Sequence, residues 1–247
     1  RPHIAHASPT RRNDGVRMRA PASRDRPMGE WIPLTTPAGA IRAWLARPEQ
    51  PPHGAVVVVQ EIFGVNPHIR RVTDRFAKAG FTAMAPALFD PVQPDVELRY
   101  DDIGVSRGRD YAASLGFERA LQIVSASAQW LRESGHRVGV VGYCWGGTVA
   151  MLANTRHGLT SVTYYGGRSG PLLGEPARAP MLFHFGEDDP LIPPEDVQKH
   201  RDHHPDAIIH TYPAGHGFNC DERHDYAPES AALAWERTTD FFKEHLR

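Results

Sequence analysis

The segment Val138-Gly139-Val140-Val141-Gly142-Tyr143-Cys144-Trp145-Gly146-Gly147 limits the possible folds of this chain more than any other. An apolar, β-branched run too short for a helix ends at a glycine, passes through one cysteine, and meets two more glycines before a helical pattern that continues to about Arg156. A strand that turns sharply into a helix leaves no room for side chains two residues on either side of the turn's centre. Gly142-x-Cys144-x-Gly146 therefore reads as a nucleophile elbow, with cysteine where serine is usual. Such a turn lifts its central side chain to the carboxyl edge of a sheet. It also places a helix N-terminus behind that side chain, where developing negative charge is favoured. A buried structural cysteine in a glycine-rich turn is the competing explanation, and the position between strand and helix favours the nucleophile. A free thiol is mostly protonated near neutral pH, so it needs a base or a lowered pKa.

The rest of the chain supplies the sheet that an elbow requires. Trp31 to Thr35 and Ile41 to Ala46 flank the turn sequence Thr36-Pro37-Ala38-Gly39 and predict an opening hairpin. Ala55-Val56-Val57-Val58-Val59 fits a strand covered on both faces, as in a parallel sheet. Asn66-Pro67 predicts an N-cap with proline at the first helical position, followed by an apolar face of Ile69, Val72, Phe76 and Ala77 that stops at Gly80. Phe81 to Ala85 reads as the next strand, and Glu118 to Ser134 as a helix. Further strand–helix pairs follow: Ser161 to Tyr165, Met181 to Phe185 with Pro194 to His203, and Ile208 to Tyr212 with Pro228 to His245. Residues from about Phe89 to Gly116 lack a clear period and are expected to form a long connection with a short helix inside it, where a lid or substrate loop would sit. The order predicts an α/β fold with a mostly parallel central sheet and helices on both faces.

That domain is expected to span residues 28–247, a length that allows one well-filled core. Residues 1–27 are rich in Arg, Pro, Ala and Ser, lack the apolar core of a secretory signal, and are expected to be a disordered extension. A net charge of −1 gives no bulk field toward nucleic acid or an anionic membrane, and no run approaches a membrane span. Two cysteines, Cys144 and Cys220, are too few for a disulfide scaffold or zinc module, which favours a reducing, cytoplasmic setting. No metal or organic cofactor is implied, and a monomer or small homo-oligomer is expected.

An acid and a base follow the elbow in chain order. The segment Gly186-Glu187-Asp188-Asp189-Pro190-Leu191-Ile192-Pro193 comes after a late strand, and Ala214-Gly215-His216-Gly217-Phe218 comes after the last one. Nucleophile, acid, histidine is the α/β-hydrolase order. Asp189 would orient His216 and His216 would exchange a proton with Cys144, with Asp188 the rival for the acid. The chain has 14 histidines, so position matters: His216 lies between glycines at a strand end. By contrast, His200, His203 and His204 are expected to be solvated on a polar helix.

Gln60-Glu61-Ile62-Phe63-Gly64-Val65-Asn66, Gly142-Tyr143-Cys144-Trp145-Gly146-Gly147 and Ala214-Gly215-His216-Gly217-Phe218 together resemble the dienelactone hydrolase (carboxymethylenebutenolidase) family, from about Glu30 to His245. The resemblance implies an α/β-hydrolase fold, a Cys144–Asp189–His216 triad, and an oxyanion hole from the backbone N–H groups of Ile62 and Trp145. It also implies that Glu61 contacts the nucleophile's thiol at rest and is redirected when substrate binds. A carboxylate beside a thiol disfavours the thiolate until something displaces or neutralises it. In the family, two arginines hold the substrate carboxylate. The first precedes a tyrosine by four residues, a spacing met here by Arg107 and Tyr111, with Arg99 and Arg109 as rivals. The second lies four residues after the histidine, where this chain has Cys220, and Arg223 stands three residues beyond. Losing a bidentate anion clamp weakens selection for carboxylate-bearing lactones.

Three functions are consistent with these residues: hydrolysis of a dienelactone-like small lactone or ester, hydrolysis of uncharged small esters, and a non-catalytic binding or thiol-redox module using Cys144 and Cys220.

Overall fold

The computed structural model describes residues 28–247, so the expectation for residues 1–27 lies outside it. Strands β1 (Gly29–Thr36) and β2 (Gly39–Ala46) form the opening hairpin, with Thr36 opposite Gly39. The Thr36 hydroxyl donates to the Gly39 carbonyl at 2.7 Å and accepts the Ala38 N–H at 3.2 Å, closing the turn. Strands β3 (Ala55–Val59), β4 (Thr82–Pro86), β5 (Val138–Tyr143), β6 (Thr160–Tyr164), β7 (Met181–Gly186) and β8 (Ile208–Tyr212) complete one sheet of eight. Its order is β1-β2-β4-β3-β5-β6-β7-β8. The hairpin joins antiparallel to β4, and every pairing from β4 to β8 is parallel.

Every residue of β3, β4, β5 and β7 is buried, which explains why these segments read as continuous apolar runs without alternation. The helices α1 (Pro67–Lys78), α2 (Asp102–Glu133), α3 (Trp145–His157), α4 (Pro194–His203) and α5 (Pro228–His245) provide that cover. Helices α1 and α5 meet through Phe76, Trp235 and Phe242. Asn66 caps α1 as expected, its Oδ1 accepting the Ile69 N–H at 3.1 Å with Pro67 at the first helical position. Among the described residues no helix is long and apolar enough to cross a membrane.

Two expectations are corrected. The region read as a long connection with a short helix inside it is irregular as far as Asp101, but its helix is longer than expected: α2 runs from Asp102, kinks at Gly116 (φ 71°, ψ 164°) and continues to Glu133. The first half escaped detection because its inward face is Gly104, Gly108, Ala112 and Leu115, mostly residues too small to register as an apolar stripe. Asp101 caps it, its Oδ1 accepting the Gly104 N–H at 2.8 Å. The second correction concerns α4 and the residue after it, where His200 and His204 are buried rather than solvated. The His200 ring packs edge-on against Phe183 and Phe185, Nδ1 bonds the Asp196 carbonyl at 2.7 Å, and Nε2 meets Ser169 Oγ at 2.8 Å. His204 stacks on Phe183. Burial lowers the pKa of both imidazoles.

Candidate active site

The elbow forms where β5 ends and α3 begins. Cys144 adopts φ 54° and ψ −123°, a left-handed backbone that non-glycine residues avoid unless the surroundings enforce it. The flanking glycines show what enforces it. A Cβ on Gly142 would run into the Gly146 carbonyl, and one on Gly146 would run into the Gln60 carbonyl at the end of β3. The Cys144 N–H donates to the Tyr164 carbonyl at 3.0 Å, tying the turn to β6. The cysteine side chain is left half-buried at the carboxyl edge of the sheet, and its thiol is free.

Strands β7 and β8 end beside it. Asp189 is buried and His216 is 5% exposed. Asp189 Oδ2 accepts from His216 Nδ1 at 2.7 Å, while Asp189 Oδ1 accepts the Leu191 N–H at 2.8 Å. On the other side of the ring, His216 Nε2 lies 3.2 Å from Cys144 Sγ. Asp188 is exposed, and its backbone N–H bonds the Ala214 carbonyl at 3.1 Å, so the acid facing the imidazole is Asp189. Burial works against charge on His216, but Asp189 and Cys144 outweigh it and raise its pKa to about 10. The geometry describes an acid–imidazole–thiol relay.

The backbone amides of Trp145 and Ile62 have no protein acceptor among the described residues. Trp145 is the first residue of α3, where an N–H lacks an intrahelical partner by construction. Ile62 is held from behind by α2, where a Cβ on Gly108 would strike the Ile62 carbonyl.

Glu61 is fully buried, and among the described residues its hydrogen bonds go to groups other than the Cys144 thiol. Its Oε1 accepts from Arg223 Nη1 at 3.2 Å and its Oε2 accepts from the Tyr100 hydroxyl at 3.0 Å. Tyr100 in turn accepts from Asn66 Nδ2 at 3.0 Å, so the residue that caps α1 also orients the tyrosine. Arg223 crosses Gly217 (φ 81°), where any Cβ would collide with its guanidinium, and lies 5.9 Å from the ring centres of both Phe63 and Tyr100. Burial opposes its charge, but Glu61 and Cys144 push its pKa further up. The physical reason for the arrangement is charge pairing: a buried carboxylate is costly unless matched, and a guanidinium matches it better than a thiol does.

The remaining predicted residues are less central. Arg107 is exposed on α2, with no ion pair among the described residues. Tyr111 is half-buried on the same helix and packs on Phe89 with ring centres 5.7 Å apart. Phe89 meets Trp145 at 5.8 Å, and Phe117, delivered by the Gly116 kink, stacks on Trp145 at 6.1 Å. Tyr111, Phe89, Trp145 and Phe117 therefore form a continuous aromatic wall that includes the residue next to Cys144. Cys220, at the position of the family's second arginine, is buried. Sequence reasoning missed Tyr100, His68, Phe89 and Phe117, which lie in no recognisable motif. Arg223 was visible only through the gap that Cys220 leaves.

Comparison with known proteins places this architecture. A profile described as "Dienelactone hydrolase family" matches residues 41–246. A provisionally named carboxymethylenebutenolidase of Synechocystis is 34% identical over 215 residues, covering 78% of this chain and 86% of the relative. Carboxymethylenebutenolidase 1 of Cupriavidus pinatubonensis is 29% identical, covering 86% of this chain and 96% of that protein. The crystal structure of a provisionally assigned dienelactone hydrolase from Klebsiella pneumoniae superposes with a TM-score of 0.77 at 29% identity, covering 87% of this chain and 97% of that one. With the sheet order, the elbow and the relatives in agreement, the chain belongs to the dienelactone hydrolase family.

Proposed function

We propose that this protein hydrolyses a small ester or lactone through a thioester on Cys144. The observation that supports this reading is the continuous relay from Asp189 to His216 at 2.7 Å and from His216 to Cys144 at 3.2 Å. In the first half-reaction the thiolate Sγ attacks the carbonyl carbon, and the N–H groups of Ile62 and Trp145 receive the oxyanion. Donors placed on charge that appears only in the transition state are worth about 3–4 kcal/mol each. The C–O bond breaks, the leaving oxygen takes the His216 proton, and an acyl thioester remains. In the second, neutral His216 removes a proton from water, the resulting hydroxide attacks the thioester, the C–S bond breaks and the acid leaves. With a lactone substrate, the leaving oxygen stays tethered to the acyl group as the ring opens.

The carboxymethylenebutenolidase names of the relatives favour a lactone, and the guanidinium of Arg223 near Cys144 provides one cation for a substrate carboxylate. Hydrolysis of uncharged aryl esters is the second reading. It is favoured by the aromatic wall of Phe89, Phe117 and Trp145 and by an Arg107 that faces solvent. Initial rates on cis-dienelactone and p-nitrophenyl acetate, with Cys144→Ala alongside, test both. Cys144-dependent turnover of the lactone supports the first reading, Cys144-dependent turnover of the aryl ester alone supports the second, and turnover that survives Cys144→Ala contradicts the thioester route.

A further inference from the structure

One cluster beside the active site is not used by the chemistry above. An imidazole nitrogen of His68, the Cys220 thiol and a Glu61 oxygen all lie within 4.8 Å of one another. Glu61 and Cys220 are fully buried and His68 is 4% exposed. These are three strong metal donors of different chemical type, brought together from the β3 loop, the first turn of α1 and the loop after β8.

His68 supplies the second, independent sign of a ligand. Its Nδ1 faces Asp221 Oδ1 at 3.3 Å, while its Nε2 is buried without any hydrogen-bond partner. Buried polar atoms are nearly always satisfied, so an orphaned imidazole nitrogen calls for a reason. An imidazole whose Nδ1 donates to a carboxylate presents Nε2 to a metal once any proton there is displaced, which is the usual outer-shell arrangement of metal-binding histidines. Asp221 is itself fixed by Arg71 at 3.3 Å, and Arg71 also holds Glu222 at 2.6 Å.

We propose that Glu61, His68 and Cys220 form a site for one thiophilic divalent cation of the zinc class. Thiolate, imidazole and carboxylate are the three side-chain donor types that zinc accepts. Bond lengths of about 2.0–2.3 Å put tetrahedral ligands roughly 3.3–3.8 Å apart, so donors already within 4.8 Å need only small side-chain adjustments. Binding converts the Cys220 thiol to thiolate and releases its proton, together with any proton on His68 Nε2, to solvent. A cavity of about 410 Å³ is lined by Asn66, Tyr100 and Arg99 together with the carboxylates of Glu97, Asp101 and Glu222. Tyr100, whose hydroxyl donates to Glu61 Oε2, links the cavity lining to the cluster. A cation there competes with Arg223 for Glu61 and so acts on the active-site electrostatics from behind.

The inference does not rest on the hydrolase reading, and its test reads metal binding rather than turnover. Cys144 and His216 are a rival thiol–imidazole pair, so the full chain carrying Cys144→Ser is titrated with cobalt(II), and thiolate-to-cobalt charge-transfer absorption is recorded. The expected result is a band that saturates at one equivalent and is displaced by zinc. It disappears when Cys220→Ser is added, and Asp221→Asn, a partly exposed position that leaves all three donors in place, weakens binding about 10–100-fold. Absence of the band in the Cys144→Ser protein, or its persistence after Cys220→Ser, overturns the proposal.

Discussion

Arg223 and Glu61 form an ion pair, Nη1 to Oε1 at 3.2 Å, in which the carboxylate is buried and the guanidinium largely so. The two residues are far apart in sequence, and their pairing, with Tyr100, takes up both oxygens of Glu61. With Glu61 held by Arg223 and Tyr100, the thiol is left to His216. Removing one partner of such a pair strands the other charge, which costs about 3–5 kcal/mol. Arg223→Ala is therefore expected to lower Tm by roughly 6–20 °C for a domain of this size. Arg223→Lys, which keeps the charge but not the planar fork, is expected to fall in between. Thermal melts of the three proteins check this.

The pH dependence follows from His216. Its pKa is raised from 6.5 to about 10, so the imidazolium that protonates the leaving group persists through neutral pH and is lost in the alkaline range. The alkaline limb of kcat/KM is expected near pH 10, and Asp189→Asn, which removes the carboxylate that supports the charge, is expected to move that limb to lower pH while reducing kcat by about 10⁴-fold. Stability has the same sign. A raised folded-state pKa contributes stability fully present below about pH 6.5 and lost as pH rises through about 10. Asp189→Asn should flatten that alkaline loss in pH-dependent unfolding measurements.

Gly108 tests the oxyanion loop without touching a reacting group. A methyl group there strikes the Ile62 carbonyl and comes within 3.0 Å of the Ile62 Cβ, so the loop that presents the Ile62 N–H has to move. Gly108→Ala is expected to cost about 1–3 kcal/mol of stability by overpacking. It should also lower kcat at least about tenfold with little change in KM, because the lost contact is made in the transition state.

The aromatic wall predicts selectivity. Phe117 stacks on Trp145 only because α2 kinks at Gly116. Phe117→Ala should raise KM for p-nitrophenyl esters more than for alkyl esters of the same acyl group, with kcat largely retained. An equal effect on both ester types would place the leaving group elsewhere.

The elements that the sequence revealed are those specified by local chemistry. The Asn66 cap, the Thr36-to-Gly39 turn, the valine strand β3 and the glycine-flanked Cys144 each carry their conformation in a few adjacent residues. What stayed hidden depends on distant contacts. The first half of α2 is inward-facing through glycines and alanine and so has no apolar period, and the burial of His200 comes from Phe183 and Phe185 on another element. The Glu61–Arg223 pair likewise exists only because the loop after β8 folds back over Gly217. Asp189 was preferred over Asp188 by sequence, and the structure directs its carboxylate, not that of Asp188, at His216.

The covalent step is the point on which all of this depends. Wild-type enzyme mixed rapidly with p-nitrophenyl acetate can be quenched in acid within the first turnover and its peptides weighed. An acetyl group on the peptide containing Cys144, absent from Cys144→Ala, is the expected result. Burst release of p-nitrophenol with the acetyl group on any other residue, or turnover with no acylated peptide and undiminished activity in Cys144→Ala, would contradict a thioester mechanism at this site.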